Sequence, residues 1–283
     1  MSAAEKSSLN TPDIQSLAII AGRGSAPKLL VEACEKQGID VFIVGFEGQT
    51  NSELMEGRKH MWSSLGQAGA IMKTLNEHAI KDLVLIGALP RPHLTQIKPD
   101  IKTAKFIAKI GIKAFGDSDL LSAVKEFLQD EGFRLHGIQV FAGELLTPDG
   151  VLTKTKPSKT DHIDINRGIE ISQKLGGIDV GQAVIVQDGL VLAVEAIEGT
   201  SALIKRSVDL KRLDKGGVLV KTCKPQQDKD LDLPSIGPHT VELIAEAGFN
   251  GIALHARNSL ILEKEEVLCK ADEHKIFIIG IEI

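Results

Sequence analysis

Along the first half of the chain, short apolar runs of strand character alternate with segments of helical periodicity, and this alternation restricts the fold more than any other feature. The run SLAIIA from Ser16 to Ala21 ends in Gly22-Arg23-Gly24-Ser25, and a helical pattern follows through Leu29, Leu30 and Ala33 to Gly38. Asp40 leads into the strand VFIVGF, and a helix-like stretch over 69–78 leads into KDLVLIGAL. Helices are expected over 101–111 and 120–131, the second started by Asp117, Ser118 and Asp119. The run FRLHGIQVF closes this half as a strand. Strands joined through helices lie parallel, so the pattern implies a doubly wound parallel sheet.

The pattern breaks at TPDGVLTKTKPSKTDHID, a polar stretch without apolar periodicity. A chain of 283 residues exceeds the usual size of one hydrophobic core. The expected organisation is a disordered N-terminus over 1–13, an N-terminal domain over 14–145, a linker over 146–163 and a second domain over 164–283. The second domain opens with a helix over 164–175, stopped by Gly176-Gly177. QAVIVQDGLVLAV reads as two strands joined by Asp188-Gly189, a hairpin signal. GVLVKTCK, a helix introduced by Pro238, GIALHA, SLILE, a helix over 265–274 and IFIIGIEI follow. The expected fold class is therefore α/β, a parallel-sheet N-terminal domain followed by a C-terminal mixed α/β domain.

A formal net charge of −5 and a pI near 5.9 give no general attraction to polyanions, which argues against nonspecific nucleic-acid binding. No apolar run approaches the roughly 20 residues of a membrane span. The start MSAAEKSSLNTPD lacks the apolar core of a secretion signal, so the expected location is the cytoplasm. Cys34, Cys223 and Cys269 are far apart, which fits reduced thiols better than a disulfide or zinc framework.

Residues able to do chemistry concentrate in a few segments. Gly22, Gly24 and Ser25 lie between a strand and a helix, where backbone amides and the helix dipole favour a phosphate. Pro27 stands where a dinucleotide fingerprint has its third glycine, and a plain tight turn explains the loop equally well. In VEAIEGTSALIKR, Glu195 and Glu198 bracket a strand-to-helix junction, with Gly199 at the turn and Thr200 or Ser201 as cap. Helix capping alone accounts for each of them, and Arg206 serves equally as a surface charge or a phosphate clamp. In KPQQDKDLDLP, Asp228, Asp230 and Asp232 alternate, and an extended chain would point all of them one way at roughly 7 Å spacing. Such oxygens suit Mg²⁺, and a solvated acidic loop explains them as well. His162, His239 and His255 lack zinc or nucleophile–base spacing and read as structural or surface residues.

Taken in order, GRGSAPK, LGQAGAIMKTL, GDSDLLSAV, DINRGIEISQKLGGIDVGQAVIVQDGLVLAVEAIEGT, GVLVKTCKPQQDKDLDLPSIGPHTVE and GFNGIALHAR resemble the LpxI family of UDP-2,3-diacylglucosamine pyrophosphatases, from about Leu17 to Ile283. The stretches DVGQAVIVQDG, VEAIEGT and DLPSIGP are the most specific. The resemblance implies a Rossmann-like N-terminal domain, a distinct catalytic C-terminal domain and a lipid-bearing UDP-sugar held between them. It also implies Mg²⁺-assisted hydrolysis to 2,3-diacylglucosamine 1-phosphate and UMP, a step of lipid A synthesis. It carries substrate binding to Gly22, Gly24, Ser25, Asp164, Arg167, Gly199 and Thr200. It carries catalysis to Asp228 and Asp232, and metal binding to Asp228, Asp232, Glu195 and Glu198. Ser201 and Asp230 depart from the family pattern, which commonly has a carboxylate and a basic residue there.

A lipid substrate implies transient contact with the inner membrane surface, without a basic amphipathic helix to secure it. The oligomeric state, including a homodimer, stays open. A noncatalytic sugar-nucleotide-binding sensor would retain the same phosphate-loop signals, and release of UMP separates the two readings.

Overall fold

The computed structural model describes residues 14–89, 98–110, 117–212 and 216–283, so the disorder expected over 1–13 lies outside the described residues. The chain divides into two compact units, Met1–Gly143 and Glu144–Ile283.

In the N-terminal unit, β1 (Ser16–Ala21), α1 (Ala26–Lys36), β2 (Asp40–Phe46), β3 (Lys59–Ser63), α2 (Ala68–Glu77), β4 (Asp82–Ile86), α3 (Ile101–Ile110), α4 (Asp117–Asp130) and β5 (Arg134–Leu135) follow one another. The strands pair in the order β3-β2-β1-β4-β5, parallel throughout. Central strands of such a sheet are covered on both faces, and Leu17, Ile19, Ile43, Val44 and Val84 are accordingly buried. β3 was not expected, because KHMWS sits at the sheet edge and keeps mostly exposed residues instead of an apolar run. FRLHGIQVF is a strand only at Arg134–Leu135. Beyond it a tight 3₁₀ turn over Ile138–Val140 leaves the sheet and buries Ile138 and Phe141.

The C-terminal unit runs β6 (Gly150–Val151), α5 (Lys159–Gly177), β7 (Ala183–Gln187), β8 (Leu190–Val194), α6 (Thr200–Ser207), β9 (Val218–Lys221), β10 (Ser235–Ile236), α7 (Pro238–Ala247), β11 (Gly251–His255), β12 (Leu260–Ile261), α8 (Lys264–Glu273) and β13 (Phe277–Ile281). Its main sheet has the order β6-β13-β11-β9-β7-β8; β9, β11 and β13 are parallel, and β6, β7 and β8 join antiparallel. SLILE, expected in this sheet, instead pairs with β10 as a separate parallel ribbon.

Period-two alternation sorts the strand residues between two layers of helix. Leu219, Ile252, Leu254 and Ile278 face one core with Leu203, Ile204, Val241, Ile244 and Val267 from α6, α7 and α8. Val218, Val220, Ala253, Phe277 and Ile279 face the other, with Ile165 of α5. Each fully buried aliphatic side chain contributes about 1.5–3 kcal/mol. Gly168 lets α5 lie close to the sheet: a Cβ there would come within 2.4 Å of Val220 Cγ2.

The stretch 146–163 is no open linker. β6 pairs with β13, and α5 begins at Lys159, ahead of the expected 164. Ser158 Oγ accepts the Asp161 amide at 3.2 Å while Asp161 Oδ2 accepts the Ser158 amide at 2.8 Å. This reciprocal cap is made by polar residues, so the first turn carries no apolar signature. Cys34 and Cys223 are buried free thiols and Cys269 is an exposed one; burial pushes the Cys34 thiol up to about 12. Among the described residues no helix is long and apolar enough to cross a membrane.

Candidate active site

The chemistry-bearing residues of the C-terminal unit converge where its parallel strands end. β9 terminates at Lys221, which pairs with Leu254, and β11 terminates one residue later at His255. The carboxyl ends of parallel strands are the usual ligand side of open α/β sheets. Lys221 is buried, and its Nζ donates to Thr200 Oγ1 at 2.9 Å and to the Ser235 carbonyl at 3.0 Å. Thr200 Oγ1 in turn donates to Glu195 Oε1 at 2.6 Å, and Glu195 Oε2 accepts the Gln182 amide at 3.2 Å. Burial pulls the Lys221 ammonium below the ordinary lysine range, against the charges of Glu195 and Asp232, which favour its protonated form.

The acidic segment is folded into a turn instead of the extended chain expected from its alternation. The Leu231 and Asp232 amides both donate to the Asp228 carbonyl, at 3.0 and 3.2 Å, and Asp228 Oδ1 accepts the Asp230 amide at 3.0 Å. The physical reason is local: an aspartate side chain that accepts an amide two residues on stabilises a turn. Asp232 Oδ2 accepts from Gln227 Nε2 at 2.8 Å. Asp232 is exposed to solvent, with enough protein packed around it to penalise its charged form. That crowding raises its carboxyl above the usual range, while Lys221, Lys224 and the Gln227 hydrogen bond act in the opposite direction.

Other expected site residues have different tasks. Asp164 Oδ1 and Oδ2 accept the amides of Gly189 and Asp188 at 2.6 and 3.1 Å, so the carboxylate anchors the β7–β8 hairpin. Burial is the main reason its carboxyl is raised; the two amides oppose the shift. Arg167 pairs with Glu170 at 2.7 Å on the exposed face of α5. Glu198 Oε1 is held by Arg206 at 2.8 Å, and its Oε2 accepts the Ala196 amide at 3.1 Å. Gly199, with φ 79°, precedes α6 and delivers Thr200 to Glu195.

In the N-terminal unit, the Gly22 and Arg23 amides donate to the Ile86 and Ala88 carbonyls, both at 2.8 Å. A Cβ at Gly22 would meet the Gly87 carbonyl at 2.6 Å, so this glycine serves backbone approach, and its amide is not available to a phosphate. Gly24, with φ 96°, has open space around it, and Ser25 holds the N-cap position of α1 without a side-chain capping bond.

The residue that sequence patterning missed is Lys221. Its signal was a lysine closing the apolar run GVLVK, where an exposed strand end is the ordinary explanation. His255, read from the sequence as structural or surface, lies at the end of β11. Its Nδ1 is buried without a hydrogen-bond partner among the described residues, its Nε2 lies 3.0 Å from Asn258 Nδ2, and burial followed by the Lys229 charge lowers its pKa. The expected Mg²⁺ ligand set does not assemble: among the described residues no group of three or more His, Cys, Asp or Glu side chains is arranged to hold a metal ion. Glu195 is bound within the Lys221–Thr200 network and Glu198 is bound by Arg206, so the four carboxylates do not form one shell.

Models of the LpxI N-terminal domain and the LpxI C-terminal domain match residues 16–145 and 148–279. Over 276 residues the chain is 32% identical to the UDP-2,3-diacylglucosamine pyrophosphatase LpxI of Caulobacter vibrioides, covering 95% of this chain and 98% of that protein. Among solved structures, a glycinamide-RNase-transformylase T from Mycobacterium tuberculosis overlaps 64% of this chain and 44% of its own, with 11% identity and a TM-score of 0.24. An N5-carboxyaminoimidazole synthase from Aspergillus clavatus overlaps 70% and 44%, with 10% identity and a TM-score of 0.23. The chain thus spans less than half of either solved structure, and overlaps this weak do not bear on function.

Proposed function

Because the chain belongs to the LpxI family, we propose that it hydrolyses the diphosphate of UDP-2,3-diacylglucosamine, releasing UMP and 2,3-diacylglucosamine 1-phosphate. The observation that carries this reading is the match along both domains to a pyrophosphatase of nearly the same length. Hydrolysis adds water to one phosphorus while a bridging P–O bond breaks, and the water's proton needs an acceptor. Asp232 takes that role. A carboxylate raised by crowding, yet flanked by Lys221 and Lys224, is a stronger base than an ordinary surface aspartate. Asp228, one turn earlier on the same segment, is the second catalytic carboxylate.

Mg²⁺ stays in the proposal in reduced form. The ion commonly takes one or two carboxylates together with substrate phosphate oxygens, so Asp228 would hold it with the diphosphate while Asp232 stays free as the base, and it would supply charge neutralisation. The acyl chains of the substrate bring the protein to a membrane surface only transiently; strong sedimentation with lipid vesicles lacking substrate would contradict this. The test is UMP release from the purified substrate with Mg²⁺ or with chelator, for the unaltered protein and for folded Asp228→Ala and Asp232→Ala variants. Release that depends on Mg²⁺ and is lost in either variant supports the reading. Binding without turnover by the folded, unaltered protein overturns it.

A further inference from the structure

We propose that Lys221 is a positioning residue for this hydrolysis, tying the 195–200 turn to the segment that carries Asp232. The inference rests on the hydrolase reading and adds to it a residue that acts through another.

From the last position of β9, the ammonium reaches elements distant in sequence. It holds Thr200 at the start of α6 and, through that hydroxyl, Glu195 just beyond β8. It also holds the carbonyl of Ser235 in β10, three residues past Asp232. The backbone carrying Asp232 is therefore fixed on one side by the Asp228 turn and on the other by Lys221. An apolar side chain would fill a buried strand end at lower electrostatic cost, since enclosing an ammonium is expensive even when it is paired. What the lysine adds is direction, because its donors fix two backbone segments relative to one another. Its charge also acts on the carboxylate whose position it sets.

The experiment measures kcat and KM for UMP release by the full chain and by Lys221→Met, Asp232→Asn and the double variant. The expected result is a kcat lowered about 10–100-fold by Lys221→Met, with KM within about threefold, because small misplacements of a catalytic group cost rate more than binding. In the Asp232→Asn background, Lys221→Met should cost less than about threefold more, since the group it positions is already disabled. Equal losses in both backgrounds, an effect confined to KM, or unchanged kcat would overturn the proposal. If Lys221→Met fails to fold because the buried Glu195 loses its neighbouring cation, the charge-neutral pair Lys221→Met with Glu195→Gln is read in the same way against Glu195→Gln alone. A folded, unaltered protein that releases no UMP instead sinks the hydrolase reading on which the inference stands.

Discussion

Asp82 of the N-terminal unit and Asp232 of the C-terminal unit are both carboxylates crowded by protein, yet they are displaced in opposite directions. Burial raises Asp82 too, but Arg134 donates to it at 2.8 and 2.5 Å and His136 Nε2 lies 2.7 Å away. These contacts outweigh burial and hold its carboxyl below the usual range. Asp232 accepts from the Gln227 side chain, and its cationic neighbours do not offset the crowding. The first arrangement serves stability, while the second leaves a group more basic than folding alone requires, as catalytic sites tend to do. Asp164 shows the limit of that inference: its carboxyl is raised as well, and its hydrogen bonds to a hairpin turn make it structural. A raised carboxyl points to chemistry only where the geometry leaves it open to solvent.

The sharpest way to break the contrast is to neutralise both aspartates. Asp232→Asn should lower kcat about 10²–10⁴-fold, the usual contribution of a general base, with the folded state retained. Asp82→Asn should leave kcat within about threefold and lower unfolding free energy by about 1–3 kcal/mol, the range for a buried hydrogen-bonded charge, moderated because Arg134 is mostly exposed. Reversed effects would dissolve the comparison. Next in size, Asp164→Ala leaves the Asp188 and Gly189 amides unpaired and should cost about 1–3 kcal/mol in urea unfolding, with little change in kcat for the folded fraction.

Acidification sharpens the same contrast with a smaller effect. The folded Asp82 carboxyl lies below its unfolded value, so its contribution is complete above about pH 4–5 and is lost as pH falls through the folded value. Asp164 and Asp232 are raised, so the folded state takes up their protons first, and acidification through their folded values favours folding. Urea midpoints of the full chain and of Asp82→Asn, followed from pH 7 to pH 3, should converge as pH falls if the Asp82 cluster supplies the difference; curves that stay parallel would contradict it. Smallest of all, Arg167→Ala removes an exposed pair with Glu170 and should leave kcat/KM within about twofold. A larger loss would place Arg167 among the substrate contacts.

Much of this architecture was legible in the sequence because burial leaves a period. SLAIIA, VFIVGF and KDLVLIGAL declare strands covered on both faces, and Asp188-Gly189 declares its hairpin through residues that tolerate the positive φ values of 56° and 76° found there. The edge strand β3 and the capped first turn of α5 lack apolar periodicity, so they left no such trace. At the candidate site, sequence spacing brought Glu195, Thr200 and the acidic segment into view. It put Asp228, Asp230 and Asp232 on one face of an extended chain, because alternation cannot register that the Asp228 side chain and carbonyl close a turn. Lys221 was invisible for a related reason: what defines it is contact with Thr200 and Ser235, 21 and 14 residues away, and no local pattern reports that.

The central claim is that this protein cleaves a phosphoanhydride, and product identity tests it most directly. Folded enzyme incubated with UDP-2,3-diacylglucosamine and Mg²⁺, followed by mass spectrometry, should yield UMP and 2,3-diacylglucosamine 1-phosphate in equal amounts. Recovery of UDP with the free sugar, or of unreacted substrate alone, would contradict the account.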